Sequence, residues 1–432
     1  MNNNWKSYEL GNIVSIYNGS TPSTTNEEFW NGDIIWVTPK DLSDQNQKYI
    51  SEGERKITRK ALSKNKLLPK GTILLSSRAP IGLLSISLTE LVTNQGFKNI
   101  VVDEKLLNNE FLYYNLKLRK NELNNFGTGT TFKELSKSTL EKFNINLPDL
   151  PTQKSIAKVL SDLDAKIELN NKINRELEAM AKTLYDYWFV QFDFPNADGK
   201  PYKSSGGKMV YNAELKREIP EGWAVKKLSQ IAKTGSGGTP LSTKREYYEN
   251  GNIPWINSGE VNEPWIVSTS NFITQKGLDN SSAKLFKRGT ILIAMYGATA
   301  GKVSLIDLEA CTNQAICGIN PTEEFYKSYI KFGLEDLYKY LINLSSGSAR
   351  DNLSQDKIKE LRFIIPNDSL LMQFDKLVQP TMNKILSNLK QNQQLTALRD
   401  WLLPMLMNGQ VTVKEAEEQL SMAAEPSVKY GN

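Results

Sequence analysis

The chain has 432 residues, of which 39% are hydrophobic and 23% are charged, and its 53 Lys and Arg residues slightly exceed its 48 Asp and Glu residues. This composition is typical of a soluble protein long enough for two or more domains, and no apolar run reaches the roughly 18 residues that a membrane span needs. Histidine is absent, which excludes imidazole bases and histidine metal ligands. The small basic surplus permits nucleic-acid binding without requiring it.

The first ten residues, MNNNWKSYEL, lack the basic and apolar segments of a secretory signal. Cys311 and Cys317 share one apolar run, and two cysteines without histidine complete neither a disulfide framework nor a zinc site. We therefore expect a cytoplasmic protein with no membrane segment and no metal.

Almost the whole chain is duplicated at an offset of 218 residues. Such a series of ordered matches predicts two copies of one unit, and an internal twofold repeat suits a target with two parts. The matched positions include Trp5 and Trp223, Gly71 and Gly289, Thr21-Pro22 and Thr239-Pro240, and, with one residue of slippage, Asn94-Gln95 and Asn313-Gln314.

The first part of each copy, residues 1–150 and 223–367, is predicted to be a globular α+β domain. Short apolar runs alternate there with Gly, Pro, Asn and Ser, which is typical of short strands joined by irregular loops. One helix is expected in each, near 108–121 and 323–341, where apolar residues recur at intervals of three and four.

Two long helices are predicted after the globular parts, over residues 151–191 and 368–410, with Thr152 as the first N-cap and Gly409 as the second stop. Apolar intervals of three and four indicate a coiled-coil seam. Asn170 interrupts it, either to fix an antiparallel register or to face a partner protein. The predicted apolar seam positions are Ile156, Leu160, Leu163, Ile167, Ile173, Leu177, Ile385, Leu389 and Leu395.

Residues 192–222 form a connector, and residues 411–432 a C-terminal tail. The connector motif FPN…GKPYKSSGG…IPEGW, the Trp-x-x-x-x-Leu start of each copy, the paired Thr-Pro and Trp segments, and the closing LRDWLLPMLMNGQV resemble the specificity subunit of type I restriction–modification systems. The resemblance covers residues 5–415. It implies two pseudo-twofold-related target recognition domains separated by two long antiparallel coiled-coil helices.

The same resemblance implies a function for each part. Each recognition domain would read one half of a bipartite, asymmetric sequence in double-stranded DNA. The helices would set the gap between the half-sites and dock two modification (methyltransferase) subunits, and restriction/translocase subunits would complete the complex. This chain would hold no cofactor and catalyse nothing, because S-adenosylmethionine and ATP with Mg²⁺ would bind the partner subunits.

The segment GATAGK at 297–302 raises the alternative of a nucleotide-binding enzyme. A P-loop has four residues between its first glycine and its Gly-Lys pair, and a serine or threonine after that pair. Here only three residues separate Gly297 from Gly301-Lys302, and Val303 follows the pair. The glycine-rich segments at 127–131 and 235–240 lack the G-x-G-x-x-G pattern, and no Pro-Pro acceptor loop of an amino methyltransferase occurs. A second alternative is a stand-alone bipartite DNA-binding regulator.

The segments 71–88 and 289–306 keep their strands but differ at their loop tips, where Arg78 aligns with Tyr296. Arginine forks onto guanine and amide side chains onto adenine, whereas tyrosine contacts thymine methyls or phosphates. DNA contacts are predicted at Lys40, Arg78, Asn94, Gln95, Thr128, Thr130 and Lys133 for one half-site, and at Ser236, Thr239, Asn257, Tyr296, Lys302, Asn313, Gln314, Ser348 and Arg350 for the other. The Asn-Gln pairs can equally satisfy buried backbone, and any loop residue can contact phosphate or solvent instead of a base.

Overall fold

The strands of the first copy are short, as the Gly- and Pro-rich loops predict, and they form three sheets. The computed structural model describes residues 5–45, 47–64, 66–127, 133–345 and 353–424. In the first copy the described strands are β1 (Lys6–Glu9), β2 (Val14–Asn18), β3 (Trp30–Val37), β4 (Tyr49–Ile50), β5 (Arg55–Ile57), β6 (Ile73–Ser76), β7 (Leu84–Ser87), β8 (Val92–Thr93), β9 (Phe97–Val102) and β10 (Asn144–Leu147). Their orders are β2-β9-β6-β7-β4, β5-β3-β8 and β1-β10. Neighbours are antiparallel except β4 with β7 and β3 with β8.

The second copy repeats this topology strand for strand. After a connector hairpin of β11 (Met209–Asn212) and β12 (Arg217–Pro220), it contains β13 (Ala224–Lys227), β14 (Ala232–Ser236), β15 (Ile253–Ile256), β16 (Trp265–Ile266), β17 (Phe272–Ile273), β18 (Ile291–Ala294), β19 (Val303–Ile306), β20 (Cys311–Thr312), β21 (Ile316–Pro321) and β22 (Arg362–Ile365). The orders β14-β21-β18-β19-β16, β17-β15-β20 and β13-β22 match those of the first copy. The predicted duplication is confirmed.

The helices comprise two long ones and a set of short ones. They are α1 (Pro39–Gln45), α2 (Asn109–Leu118), α3 (Lys120–Asn125), α4 (Lys137–Glu141), α5 (Leu150–Tyr185), α6 (Leu228–Ile231), α7 (Gln275–Asp279), α8 (Lys327–Asp336), α9 (Tyr338–Ser345), α10 (Gln355–Lys359), α11 (Asp368–Met407) and α12 (Val413–Ala424). Single 3-10 turns lie at Leu10–Asn12, Glu27–Phe29, Arg59–Lys64, Arg245–Tyr247, Ser258–Asn262 and Glu324–Tyr326, and a π turn, Asp186–Val190, extends α5. No helix of the described ranges is long and apolar enough to cross a membrane.

Each helix predicted inside a globular part is a pair of helices. In the first copy α2 ends at Leu118, and Arg119 leaves helical geometry with ψ of 22° before α3 begins. In the second copy a break lies at the equivalent position, Leu337, between α8 and α9, although Leu337 keeps dihedral angles close to helical ones. Apolar periodicity predicts the helical segment correctly, but it does not reveal a break that preserves the buried face.

The ends of the long helices agree with the sequence with one exception. The side-chain oxygen of Asp149 accepts the Thr152 N–H at 2.8 Å, and α5 begins at Leu150, so the prediction that Thr152 caps this helix is wrong. Aspartate is preferred over threonine at the N-cap, and Asp149 is the residue immediately before the first residue of α5. Gly409, at φ +65°, follows the end of α11 as expected.

The chain forms two compact units, residues 1–168 with 393–432 and residues 169–392. Each unit contains one globular part and roughly half of each of the two long helices. In the first unit the core joins Ile73 and Phe111 of the globular part to Leu160 and Leu402 of the helices. In the second unit the core likewise joins Ile291 and Phe332 of the globular part to Tyr185 and Phe374 of the helices. Residues of both long helices therefore belong to both cores. Burying each such side chain stabilises the fold by about 1.5–3 kcal/mol.

Buried amides pair the long helices in the second unit. The side-chain amide of Asn170, only 1% exposed, donates to Gln391 Oε1 and Asn392 Oδ1 at 2.8 Å each, and that of Asn388 donates to Asn174 Oδ1 at 2.8 Å. Rising numbers in α5 face falling numbers in α11, so the helices are antiparallel here. Of the two interpretations of Asn170, these contacts support the one in which it fixes register.

The apolar seam flanks these amides. Ile156, Leu160, Leu163 and Ile385 are buried. The remaining predicted seam positions are half-buried: Ile167, Ile173, Leu177, Leu389 and Leu395. The apolar packing is therefore closest toward the globular parts, where the helices also contact the sheets and short helices.

The connector packs through its aromatic residues. The ring of Phe194 stacks on Tyr202 at 4.6 Å and on Trp223 at 5.0 Å between centroids, and Phe194 belongs to the core of the second unit. Asp193 accepts from the hydroxyl of Ser204 at 2.6 Å and thereby closes the loop between them. The segment is ordered by these contacts despite its high Pro, Gly and Ser content.

Candidate nucleic-acid interface

Four segments of the first copy are joined by backbone hydrogen bonds. Ser20, after β2, donates its N–H to the carbonyl of Thr93 at 2.9 Å, and Ser77, after β6, donates to Gly96 at 2.8 Å. Leu135 in turn donates to the carbonyl of Ser77 at 2.8 Å. Segments from distant parts of the sequence therefore form one loop cluster.

The second copy assembles its loop cluster in the same way. Gly238 donates to Thr312 at 2.8 Å, Met295 donates to Ala315 at 2.7 Å, and Leu353 donates to Met295 at 3.1 Å. Each bond repeats one of the first copy at an equivalent position. The scaffold beneath the loop tips is thus shared, and the tips differ.

A side-chain bracket is also common to both clusters. The hydroxyl of Thr21 donates to Gln95 Oε1, and the hydroxyl of Thr239 donates to Gln314 Oε1. All four side chains are exposed, so the bracket lies at the surface. Both glutamines remain candidates for DNA contact.

The asparagines of the two Asn-Gln pairs stabilise their own turns. Asn94 Oδ1 accepts the N–H of Gly96 at 2.9 Å, and Asn313 Oδ1 accepts that of Ala315 at 3.1 Å. Both side chains are half-buried. For Asn94 and Asn313 the geometry favours the interpretation that they satisfy backbone groups.

Arg78 lies at a loop tip of the first cluster beside a cleft of about 950 Å³, which we call the Arg78 cleft. Its side chain is 51% exposed, and its Nε donates to Glu134 Oε2 at 3.1 Å. The predicted contact Lys133 also lines the cleft. The full lining is Arg78, Ala79, Pro80, Ile81, Lys120, Asn121, Asn124, Lys133 and Glu134.

Four polar lining residues were not predicted from the sequence: Glu134, and Lys120, Asn121 and Asn124, the three of them that lie on α3. The three residues on α3 are exposed, and they reach the cleft because α3 passes close to the loop after β6. Gly82 has φ of +91°, and a Cβ there would approach Lys120 Cγ to 2.8 Å, so glycine permits this approach. Arginine, lysine and amide side chains around one cleft form a surface suited to phosphates and base edges.

Lys40, the remaining described prediction for the first half-site, stands apart from this cleft. It is exposed on α1 and forms an ion pair with Glu54 at 3.0 Å, which raises the pKa of Lys40. Thr128 and Thr130, like Ser348 and Arg350 of the second copy, lie outside the described residues.

The predicted residues of the second copy are largely engaged within the protein. Tyr296 is half-buried against the core of its unit. The hydroxyl of Ser236 donates to Gln355 at 2.8 Å, Asn257 forms a capping box, and Lys302 donates to Asn262. Among the described predictions, Thr239 and Gln314 have the most exposed positions.

The loop containing GATAGK uses its own amides internally. The N–H groups of Ala300, Gly301 and Lys302 donate to carbonyls within the same hairpin at 3.1, 2.8 and 2.9 Å. A phosphate-binding loop needs such groups free and convergent. This geometry argues against the nucleotide-site interpretation of the segment.

Neither cysteine has the properties of a nucleophile. Burial raises the pKa of the Cys311 thiol to about 11 and that of the Cys317 thiol to about 12. Both thiols are therefore protonated at neutral pH, as expected for packing residues.

Comparison with known proteins identifies the repeated unit. A family model described as the type I restriction modification DNA specificity domain matches residues 2–179 and again residues 220–399. The type I restriction enzyme MjaIX specificity subunit of Methanocaldococcus jannaschii is 37% identical over 419 residues, covering 95% of this chain and 94% of the relative. The HindI specificity subunit of Haemophilus influenzae is 27% identical over 485 residues, covering 94% and 99%.

A solved structure shares the fold. The S subunit of a type I restriction–modification system from M. genitalium superposes with a TM-score of 0.60 at 18% identity, covering 94% of this chain and 97% of that one. The family match to both copies and the M. jannaschii relative that aligns along nearly the whole chain lead to one conclusion. The protein belongs to the family of type I restriction–modification DNA specificity subunits.

Proposed function

We propose that this chain reads a bipartite, asymmetric sequence in double-stranded DNA, with one half-site for each copy. The observation that carries this proposal is the pair of loop clusters, which share a backbone scaffold but differ in the side chains at their tips. Arg78 in the first cluster corresponds to Tyr296 in the second. A shared scaffold with different tips suits two half-sites of different sequence.

In the first cluster, the Arg78 cleft would provide the contacts. Lys120 and Lys133 suit phosphate oxygens, and contacts of this kind fix the register on the duplex. Arg78 and the amides of Asn121 and Asn124 suit base edges. In the second cluster, the exposed Thr239 and Gln314 would serve beside Tyr296.

The long helices would carry the partner proteins. Large apolar side chains on α5 and α11 are strongly exposed, and such surfaces mark interaction sites. They are Leu169 (50% exposed), Met180 (66%), Met372 (51%), Leu377 (55%) and Trp401 (46%). Two modification subunits would dock on them, and restriction/translocase subunits would join in the full complex. The partners would bind S-adenosylmethionine and ATP with Mg²⁺, and this chain would act without a cofactor.

The test is selection of DNA from a random pool by the full-length chain in complex with a modification subunit, followed by mapping of methylated adenines. We expect two short defined sequences at a fixed gap, and no methylation or cleavage by the chain alone. One uninterrupted recognition sequence would contradict the two-reader model. Sequence-specific binding without any association with a methyltransferase would favour the stand-alone regulator, and methyl transfer by the isolated chain would favour an enzyme.

A further inference from the structure

A chain of three charged side chains runs from the interior of the first copy to its loop tip. Lys98 Nζ lies 3.3 Å from Glu134 Oε1, and the other carboxylate oxygen, Oε2, lies 3.1 Å from Arg78 Nε. The exposed fraction rises along the chain, from 6% at Lys98 through 38% at Glu134 to 51% at Arg78. We call this series of three side chains the Lys98 relay.

The inner end of the relay is fixed by the sheet. Lys98 belongs to β9, and it pairs with Asn18 of β2 on one side and with Leu75 of β6 on the other. Burying an ammonium group is costly unless an acceptor of opposite charge compensates it. Within the described residues, Glu134 is the carboxylate that meets Lys98.

Glu134 is held by its backbone as well as by its charge. It forms a β-bridge with Arg78, and the next residue, Leu135, donates its N–H to Ser77 at 2.8 Å. Partial burial alone would raise the pKa of Glu134, but the hydrogen bond from Lys98 and the two neighbouring positive charges lower it below the ordinary value. The carboxylate is therefore ionised at neutral pH.

At the exposed end of the relay, the terminal nitrogens of Arg78 that would bind a base remain available. Glu134 engages Nε of Arg78, and in the described part of the chain no partner is seen for the terminal Nη groups. A guanidinium held at Nε can present its two Nη groups as a fork, which matches O6 and N7 of guanine. Holding an arginine in one orientation lowers the conformational entropy lost on binding.

The second copy does not repeat the relay. Cys317 occupies the strand position of Lys98, and Tyr296 occupies the position of Arg78. Cys317 is fully buried and uncharged at neutral pH. The buried charge is thus present in the copy whose tip carries an arginine and missing from the copy whose tip carries a tyrosine.

We infer that Lys98 and Glu134 are positioning residues, which orient Arg78 so that the first copy selects a guanine at one base pair of its half-site. This inference rests on the proposed reading function and adds the base and the residues that enforce it. Glu134 acts through Arg78 and does not touch the base.

The experiment measures base preference at each position of the first half-site, by selection from randomised DNA with the full-length chain in complex with a modification subunit. Arg78→Ala should reduce the preference for guanine at one base pair by roughly ten- to a hundredfold. Glu134→Gln should reduce it at the same base pair by several-fold, and Lys98→Met should do likewise. In the Arg78→Ala background, Glu134→Gln should have no further effect on preference.

Glu221→Gln is the matched control, because Glu221 pairs with Lys208 at 2.6 Å in the connector. It should leave every base preference unchanged. Thermal unfolding of each variant separates folding from selectivity, and Glu134→Gln keeps the test available if Lys98→Met fails to fold. A purely structural Glu134 would lower stability in both backgrounds without changing the preference at that base pair.

The outcomes separate the inference from the proposed function. If Arg78→Ala reduces the preference but Glu134→Gln does not, the relay is refuted and Arg78 remains the reader. If two half-sites are selected and Arg78→Ala changes neither, the relay is refuted while the two-reader model stands. If the complex selects no bipartite sequence, both are refuted.

Discussion

The two copies have the same strand order and the same backbone bonds between loops, yet they differ from the tips down into the core. Arg78 and the buried Lys98 of the first copy correspond to Tyr296 and the buried Cys317 of the second. A loop tip and the interior position beneath it have thus changed together. The comparison indicates that exchanging Arg78 alone would leave the Lys98–Glu134 pair without the guanidinium that faces it at the surface.

The attachment of the long helices differs between the copies in the same manner. In the first unit, Asp164 accepts from Arg399 at 2.7 Å and from the hydroxyl of Tyr114 at 2.5 Å. The positions equivalent to Asp164 and Arg399 are Met382 and Ala181, which lie in the apolar core of the second unit. The buried amides in the middle of the helices, by contrast, are alike in both copies.

Those amides must be alike because each buried asparagine of one long helix pairs with a buried asparagine of the other long helix. That partner is the repeat equivalent of the other buried asparagine in the first residue's own helix. At the repeat offset of 218, Asn170 corresponds to Asn388 and Asn174 corresponds to Asn392. The pairs Asn170–Asn392 and Asn174–Asn388 therefore exchange under the internal twofold relation. A contact whose two residues both recur in the other copy, as these do, is constrained by both copies, whereas a contact inside one copy is free to diverge.

The largest effect is expected from lengthening both helices where the two units meet. Four residues inserted after Glu168 and four after Asn392 preserve the packing inside each unit and lengthen each helix by about 6 Å. Since base pairs stack at about 3.4 Å, the preferred gap between half-sites should grow by one or two base pairs. Methylation of DNAs with identical half-sites and varied gaps measures the change.

Matched two-residue insertions provide the control. They turn one unit by about 200° relative to the other, so methylation should be lost at every gap although each unit still folds. A four-residue variant that folds, methylates and keeps the original gap would show that the helices do not set the spacing.

A second prediction concerns a buried cation that only the second copy has. Lys331, fully buried, lies 2.6 Å from Glu335 and 3.3 Å from Glu178, whereas its equivalent in the first copy is Tyr113. Lys331→Ala removes the partner of Glu335, whose pKa burial raises despite the opposing charge of Lys331. The free energy of unfolding should fall by about 3–5 kcal/mol, measured by chemical denaturation.

Lys276→Ala is the matched control, since Lys276 pairs with Glu246 at 2.7 Å on the surface of the same unit. Its cost should be far smaller, because water and salt screen an exposed ion pair. Replacing both Lys331 with Met and Glu335 with Gln should recover much of the lost stability. Equal costs for the two alanine variants would mean that burial does not strengthen the Lys331 pair.

Tyr296 allows a smaller change confined to the second copy. Tyr296→Phe keeps the packing of the ring against the core and removes the hydroxyl. If the hydroxyl contacts DNA, affinity should fall by about fivefold, the loss expected for one hydrogen bond of about 1 kcal/mol. Base preference in the first half-site should stay unchanged. Equal effects on the preferences of both half-sites would contradict the division between the copies.

The features predicted correctly from the sequence are those that repeat or that depend on neighbouring residues. The offset between the copies follows from matching residues, and the helical segments and the stop at Gly409 follow from the spacing and type of neighbouring residues. The cleft lining on α3 could not be predicted, because it depends on a helix break and on the approach of α3 to Gly82. Nothing in the apolar spacing indicates either feature.

The relay was also missed, although a signal for it exists in the sequence. Its hydrogen bonds join residues 36 and 56 positions apart, which periodicity does not detect. A lysine inside the apolar strand FKNIVV, however, requires a buried acceptor. In the same way, the Asn-x-x-x-Asn spacing common to both long helices indicates their amide pairing.

The smallest predicted effect is a pH dependence of opposite sign in the two units. In the first unit, partial burial would raise the pKa of Glu110, but hydrogen bonds from Ser161 and Tyr49 and the charge of Lys48 lower it below the ordinary 4.5. Its ionised form therefore contributes stability that is present above pH 4.5 and lost as pH falls through the folded-state pKa. Glu110→Gln should lower the melting temperature at pH 7 by about 3 °C or less, with a difference that shrinks in acid.

In the second unit Ser328 occupies the position of Glu110, and it donates to Asp375 at 2.7 Å. Burial raises the pKa of Asp375 above the ordinary 3.8 despite that hydrogen bond, so the ionised carboxylate is unfavourable in the folded state. This penalty is present above the folded-state pKa and disappears as pH falls toward 3.8. Asp375→Asn keeps an acceptor for Ser328 and should raise the melting temperature at pH 7. Calorimetry of both variants between pH 7 and about pH 4 should show differences of opposite sign that both diminish in acid; differences of the same sign at pH 7 would mean that the two carboxyls do not play opposite roles.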